Sequence, residues 1–261
     1  MSRNDVPFLS VPAALLDLHL KDAVDRGLNL EVHAFWRELE DFPAETLAAI
    51  DAARGEGMRV SLHAPFIDMA PGADDPLMRE ATLARFAQAA LLARRLGAVS
   101  VVVHPGWDRR RYWGDDDGYV TRAAATFSTL MELTEPVGCT VALENIYECE
   151  PTLLRRVIDA VGHPRFGHCF DAQHFNLFGR GYGVERWLDV LGDSIVHLHL
   201  HNNDGTDDQH QGMRSGTFDY ELFFPLLARH RIDPMMTIEP HHIPGVDESL
   251  SYLRQLRGAV A

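Results

Sequence analysis

The chain of 261 residues carries 24 Lys and Arg against 38 Asp and Glu, a formal net charge of -14, in an ordinary globular composition that is 46% hydrophobic and 24% charged. This acidity argues against a protein whose main task is to bind nucleic acid or an anionic membrane. No run approaches about 18 apolar residues, so we expect no membrane span.

The cysteine and lysine contents limit the expected cellular compartment and the classes of reaction that the protein can catalyse. Cys139, Cys149 and Cys169 show no Cys-x-x-Cys spacing, and residues 1–5 lead into no apolar run typical of a signal peptide. We therefore expect a cytoplasmic protein without a disulfide framework. Lys21, the single lysine, falls in the first predicted helix, which argues against Schiff-base aldolase and pyridoxal-phosphate chemistry.

Eight short apolar runs predict β-strands, and each is followed by an amphipathic helical pattern. The predicted strands are Val6–Ser10, Leu28–Val32, Met58–His63, Ser100–His104, Thr140–Glu144, Phe166–Asp171, Ser194–His201 and Pro234–Glu239. The predicted helices are Ala13–Arg26, Ala44–Gly55, Pro76–Leu96, Tyr119–Pro136, Thr152–Val161, Val184–Leu191, Phe218–His230 and Asp247–Leu256. Repeated strand–helix units imply parallel strands. At this length they predict an α/β fold, a single (β/α)8 TIM barrel spanning residues 1–261 as one domain.

Six successive predicted strands end in a histidine, an aspartate or a glutamate. These polar residues include His63, His104, Glu144, Asp171, His199, His201 and Glu239. Because the active-site groups of a barrel come from its C-terminal strand ends, we expect these side chains to converge. A lone strand histidine is more often a hydrogen-bonded core residue. Burying so many unpaired polar groups is costly, however, and a shared metal cluster would remove that cost.

Three motifs at these positions carry a family resemblance. They are Val103-His104-Pro105-Gly106, Asp171-x-x-His174, and the run from His199 to Gly205 followed by Asp208-x-His210. From about Ser61 to Pro240 the chain resembles the xylose isomerase-like TIM barrels. That superfamily holds sugar isomerases and epimerases, inosose-processing enzymes, dehydroshikimate dehydratases and the endonuclease IV group, also called AP endonuclease family 2. Xylose isomerase proper is longer and has lysines in its site.

The resemblance implies a primary metal site with one ligand from each of four successive strands. These ligands are Glu144, Asp171, His199 and Glu239. Three carboxylates and one imidazole suit Mn, Mg, Co or Zn. In the sugar isomerases and epimerases of the family, the two glutamates double as the proton-transfer groups, and His174 would bind a substrate oxygen.

Endonuclease IV-type members of the family hold two further ions. The second site is matched here by His63, His104 and the shared Glu144. The third site is matched by His174, Asp208 and His210. We therefore expect one to three divalent ions, although a solvated loop is the alternative for the Asp208-x-His210 pair.

Two segments depart from the family pattern and affect the substrate contacts. Asn202 stands where an aspartate is usual, and residues 211–216 replace the usual Leu-Gly-Glu-Gly loop. Arg214 in that loop is a candidate contact for an anion or a phosphate, with a surface arginine as the alternative. Trp107, after the fourth strand, is a candidate to stack on a sugar ring.

The sequence is compatible with three functions. The first is a metal-dependent sugar or sugar-phosphate isomerase or epimerase in which Glu144 and Glu239 transfer the proton. The second is a multinuclear zinc phosphoesterase related to endonuclease IV, and the third is a non-catalytic sugar- or metal-binding barrel. The expected partner is a small sugar or phosphorylated molecule. The negative net charge disfavours DNA as a partner, despite the run Arg109-Arg110-Arg111. The sequence does not determine the oligomeric state, so a homo-oligomer is possible.

Overall fold

The computed structural model describes residues 6–260, in which eight parallel strands pair in sequence order and close into a barrel. The strands are β1 (Phe8–Pro12), β2 (Asn29–His33), β3 (Val60–His63), β4 (Ser100–Val103), β5 (Thr140–Glu144), β6 (Phe166–Asp171), β7 (Ile195–Leu200) and β8 (Met235–Ile238). The predicted TIM barrel is therefore confirmed. Residues 1–5, on which the expectation of no signal peptide rests, lie outside the described residues.

Helices connect the strands and surround the barrel. They are α1 (Leu16–Asp25), α2 (Trp36–Glu40), α3 (Ala44–Gly55), α4 (Pro76–Leu96), α5 (Arg109–Tyr112), α6 (Asp116–Thr134), α7 (Thr152–Val161), α8 (Ala172–His174), α9 (Gly183–Leu191), α10 (Tyr220–His230) and α11 (Ile243–Val260). Within residues 6–260, no helix is both long and apolar enough to cross a bilayer. The cysteines Cys139, Cys149 and Cys169 are free.

The polar segment 109–118 after β4 contains regular structure. Asp108 caps α5, because its carboxylate accepts a hydrogen bond from the Arg110 backbone N–H at 2.8 Å. Asp115 caps α6 in the same way through Gly118. Helix α6 therefore begins three residues before the predicted start, and the segment after β4 is shorter and more rigid than a free loop.

Strand alternation divides the barrel into two apolar regions. Val60 and Leu62 belong to the large core between the strands and the helices. Val102, Ala142 and Cys169 form a separate small cluster inside the barrel. Ala142 and Cys169 are small, so they leave space above them at the C-terminal end of the barrel, where the polar strand-end residues lie.

A glycine fixes the turn that leaves β4 towards the mouth of the barrel. Gly106 has a φ of +61°, and a Cβ at this position would lie 2.5 Å from the carbonyl oxygen of Met69. We expect Gly106→Ala to destabilise the protein by about 1–3 kcal/mol in urea unfolding. Gly114→Ala is the matched control, since Gly114 has a φ of +84° but a Cβ there would meet no described atom within 4 Å. Equal unfolding midpoints for the two variants would contradict the steric explanation.

Candidate metal centre

The four predicted primary ligands meet in one buried cluster at the C-terminal end of the barrel. Nδ1 of His199 lies 3.2 Å from Oε2 of Glu239, 3.4 Å from Oε2 of Glu144 and 3.8 Å from Oδ2 of Asp171. All four side chains are buried. Strands β5 to β8 thus each deliver one of these groups to the same point, as the strand-end pattern predicts.

The donor set of this cluster fits a divalent cation. Ligand atoms of Asp171, His199 and Glu239 lie within 4.8 Å of one another. Nδ1 of His199 is buried and makes no hydrogen bond of acceptable geometry with the described residues, although carboxylate oxygens surround it. An orphaned nitrogen and three converging carboxylates are what a shared positive ion would satisfy.

The predicted second set assembles around the same glutamate. Nε2 of His63 and Nε2 of His104 lie 3.2 Å and 3.4 Å from Oε2 of Glu144, and 3.2 Å from each other. His63 and Glu144 are almost fully buried, whereas His104 is partly open to the cavity. Two imidazole nitrogens therefore face one carboxylate oxygen, and this geometry also suits a bridging glutamate between two ions.

The predicted third set is looser than the other two. Oδ1 of Asp208 lies 3.3 Å from Nε2 of His210 and 4.0 Å from Nε2 of His174. The other ring nitrogen of His174 lies 3.1 Å from Oε1 of Glu144. His174 thus faces both the first and the third set, while the half-exposed Asp208 leaves the third set open to solvent.

Gln173 holds both members of the Asp208–His210 pair, and sequence reasoning missed it. Its Oε1 accepts the backbone N–H of His210 at 2.8 Å, and its amide donates to Asp208. His210 has a φ of +46° and lies between the rings of His201 and His241, with centroids 4.2 Å and 3.8 Å away. These contacts hold His210 in a strained conformation, which is typical of functional sites.

The C-terminal end of β7 brings two histidines to the carboxylates, His199 in the strand and His201 directly after it, and the sequence predicts only His199 as a metal ligand. Nε2 of His201 lies 2.6 Å from Oδ2 of Asp171 and 3.7 Å from Oε2 of Glu239. Residues two apart in a strand point the same way, so His201 carried the same alternation signal as His199. The geometry places both rings where either can serve as the imidazole ligand.

A buried glutamate beneath the cluster was also missed. Oε1 of Glu31 lies 3.1 Å from Nε2 of His199. Its Oε2 accepts hydrogen bonds from the hydroxyls of Ser61 and Thr237, at 2.8 Å and 3.2 Å. A carboxylate behind a histidine fixes the orientation of its ring and raises its basicity. Strand alternation carried a sequence signal for this residue, because Glu31 and His33 are two residues apart in β2 and therefore point to the same face of the strand.

The electrostatics of the cluster are set by burial and by the histidines together. Burial disfavours the charged form of Glu239, but the positive charge of His199 outweighs this effect and holds the pKa of Glu239 well below its usual range. Burial likewise opposes protonation of His174, yet the charge of Asp171 and the carboxylate of Glu144 raise its pKa to about 10. Without a bound cation, protonated histidines supply the positive charge that the carboxylates require.

The predicted substrate contacts differ in their placement. Trp107 and His174 line the mouth of the barrel, a cavity of about 680 Å³ above the cluster. Arg214 is absent from the described lining of this cavity, since its guanidinium lies 4.0 Å from the ring centroid of Tyr252 and donates to Gln255. The structure therefore favours the surface-arginine alternative for Arg214.

The unusual Asn202 organises a loop rather than facing the mouth. Its Nδ2 donates to the Met213 carbonyl at 2.7 Å, and its Oδ1 accepts the backbone N–H of Phe218 at 3.0 Å. The side chain is buried among these contacts. The asparagine thus has a structural explanation, since an aspartate could not donate to a backbone carbonyl.

Comparisons with known proteins agree with this geometry. A family model described as a xylose isomerase-like TIM barrel matches residues 21–256. The TTHB071 protein of Thermus thermophilus, solved after a soak with ZnCl2, is 27% identical, with a TM-score of 0.84 and 98% of each chain covered. A D-tagatose 3-epimerase-like protein is 22% identical, with a TM-score of 0.82 and 98% of each chain covered. A probable endonuclease 4 of Oleidesulfovibrio alaskensis is 30% identical over 201 residues, or 69% of this chain and 64% of that protein.

Proposed function

The chain belongs to the xylose isomerase-like TIM barrel family, and on this premise we propose that it is a divalent-metal-dependent sugar or sugar-phosphate isomerase or epimerase. One observation carries the proposal. The carboxylates of Glu144 and Glu239, from β5 and β8, approach the same His199 nitrogen at 3.4 Å and 3.2 Å. Two buried carboxylates that can act as acid/base groups thus meet at the position assigned to the metal, next to which a bound substrate would lie.

We assign the primary metal to Glu144, Asp171, His199 and Glu239, with His201 as the alternative imidazole. Mn, Mg, Co and Zn all suit this donor set. When bound, the ion would polarise a substrate carbonyl and hold the adjacent hydroxyl in one geometry. The primary site alone is enough for this chemistry.

The side chains of the cluster divide the proton transfer between them. One of the two glutamates removes the proton from the carbon next to the carbonyl, and the other returns a proton from the opposite side. His174, whose Nδ1 lies 3.1 Å from Oε1 of Glu144 and which lines the mouth, is placed to donate a hydrogen bond to a substrate oxygen. Phe66, Trp107 and Tyr147 line the cavity, and they pack on the apolar face of a sugar and limit the access of water.

The proton transfer has a direct test that works across a panel of sugars. We expect wash-in of deuterium from D₂O at the carbon next to the carbonyl of a free or phosphorylated ketose, followed by NMR. The same protein should leave bis-p-nitrophenyl phosphate intact. Hydrolysis of that ester without any exchange across the ketose panel would overturn the isomerase proposal.

A multinuclear zinc phosphoesterase is the second candidate. The specific observation in its favour is the approach of Asp208 to His210 at 3.3 Å, beside the paired His63 and His104. Clustered metals can activate a hydroxide and stabilise both oxygens of an in-line displacement. A non-catalytic barrel is less well supported, since both acid/base carboxylates are present and buried.

Metal content separates the two enzyme candidates. For an isomerase we expect about one tightly held ion per chain by elemental analysis, and Asp208→Asn should leave turnover within about threefold. Two or three zinc ions per chain, together with loss of activity in Asp208→Asn, would instead support the phosphoesterase. Asp207→Asn is the matched control, because Asp207 is the exposed neighbour and its Oδ1 accepts the backbone N–H of Asp208, whereas the Asp208 carboxylate faces His174 and His210.

A further inference from the structure

A second cavity lies on the rim of the barrel, outside the catalytic mouth. It measures about 560 Å³ and lies between the segment after β4 and the segment after β5. Trp107, Trp113, Tyr182 and Glu148 contribute to its lining. A volume of this size is within the range of small-molecule sites.

The rim cavity adjoins the catalytic mouth. Trp107 lines both cavities. On the segment after β5, Tyr147 lines the mouth and the next residue, Glu148, lines the rim cavity. On the segment after β4, Arg111 lines the mouth and its neighbour Arg110 lines the rim cavity. The two cavities are therefore neighbours, with Trp107 as their common wall.

Two buried polar atoms of the rim cavity lack partners among the described residues. Oε1 of Glu148 and Nε1 of Trp107 make no hydrogen bond there, although the two side chains are only 2% and 8% exposed. The other oxygen of Glu148 accepts the backbone N–H of Ile146 at 2.7 Å, which holds the carboxylate in place. Buried groups are normally paired, so this acceptor and this donor beside the cavity depart from the usual pattern.

The chemistry of the lining favours a sugar ring over a phosphate. Trp113 and Tyr182 are 86% and 61% exposed, and such rings are platforms for the apolar face of a sugar. The charged lining residues are two arginines against three carboxylates: Arg109, Arg110, Asp116, Glu148 and Glu150. Arg110 is already paired with Asp108 at 3.0 Å. This balance gives no net positive field for an anion.

The protonation of Glu148 is consistent with a neutral polar ligand. Burial raises the pKa of its carboxyl group to about 7. Near neutral pH the group can therefore both donate and accept a hydrogen bond, as a sugar hydroxyl does.

We propose that the rim cavity binds a second sugar ring, so that the substrate is a glycoside or oligosaccharide whose first ring lies at the metal centre. The assignment of the first ring rests on the proposed isomerase or epimerase function. Binding of the second ring rests only on the lining described above. Trp107 is the wall that the two rings share.

Calorimetric titration of the full-length, metal-loaded protein tests this proposal. The probes are cellobiose, maltose and trehalose, with glucose as the single ring and inorganic phosphate as the anion. We expect at least one disaccharide to bind about tenfold more tightly than glucose. Trp113→Ala and Tyr182→Ala should each abolish that advantage while leaving glucose binding unchanged. Trp36→Ala is the matched control, because Trp36 is a half-exposed tryptophan that does not line the rim cavity.

The outcomes distinguish the rim site from the proposed function. If no disaccharide binds more tightly than glucose, or if phosphate binds more tightly than every disaccharide, the rim proposal is wrong. A disaccharide advantage that survives Trp113→Ala and Tyr182→Ala would also overturn it. Deuterium exchange on free and glycosylated ketoses tests the isomerase separately, so a Trp113-dependent disaccharide site without exchange would leave the rim site standing and remove the proposed reaction.

Discussion

Glu239→Gln is expected to abolish turnover, with a loss of at least about a hundredfold, because general acid–base groups contribute about 10²- to 10⁴-fold. Glutamine matches glutamate in shape but cannot accept the proton. Glu239 is buried and its oxygen lies 3.2 Å from Nδ1 of His199, so the substitution also weakens a metal contact. Glu144→Gln should have an equal effect, because the two carboxylates are the two ends of one proton transfer.

The measurement must separate loss of chemistry from loss of metal. Steady-state rates should be taken at saturating metal, with the bound ion counted for each variant. If Glu239 acts on the reacting carbon, kcat and kcat/KM fall together. Glu45→Gln is the matched control, since Glu45 is an exposed residue of α3. Full turnover in Glu239→Gln would show that the site has been assigned wrongly.

Local signals explain why much of the fold was predictable. The bounds of α4 are as predicted, because Asp75 caps its start, Pro76 occupies its first position and Gly97 ends it in a left-handed conformation. Strands β5 and β6 also match their predicted bounds. Strand β2 lies one residue later than predicted, since its end is fixed by pairing with β1 and β3 and not by a local residue.

The candidate site was predictable where strand alternation and strand ends coincide. Glu144 and Asp171 are the last residues of β5 and β6, so their position alone brings them to the mouth. Glu31 is the middle residue of β2, and its approach to His199 depends on closure of the barrel, which no local pattern encodes. Gln173 and Arg214 depend on contacts between distant segments, and sequence spacing carries no information about those.

Removing the metal is expected to make the stability of the protein strongly dependent on pH. In the metal-free state the carboxylates are balanced by His174 and His210, whose pKa values are raised to about 10 and about 9. In the unfolded chain a histidine titrates near a pKa of about 6.5. The native state therefore holds more protons than the unfolded state between about pH 6.5 and 10, so its stability declines as the pH rises through that window.

A bound ion changes this dependence because it replaces the protons as the counter-charge. Ligand binding to the native state adds about 2.7 kcal/mol of stability when the free ion is at about a hundred times its dissociation constant. Metal binding releases protons from histidine ligands, so its affinity rises with pH and the loaded protein keeps the stability that the stripped protein loses.

Urea unfolding of loaded and chelator-treated protein at about pH 6.5 and about pH 9.5 measures this difference. We expect the gap between the two free energies of unfolding to widen by at least about 3 kcal/mol over this range, since one unit of pKa displacement corresponds to about 1.4 kcal/mol and even one of the two histidines supplies that much. Asp208→Asn should reduce the pH dependence of the stripped protein, because the Asp208 carboxylate raises the pKa of both His174 and His210. A gap that stays constant, or narrows, would mean that the histidines are not the counter-charge of the empty cluster. The protons and the metal would then not compete for the same carboxylates.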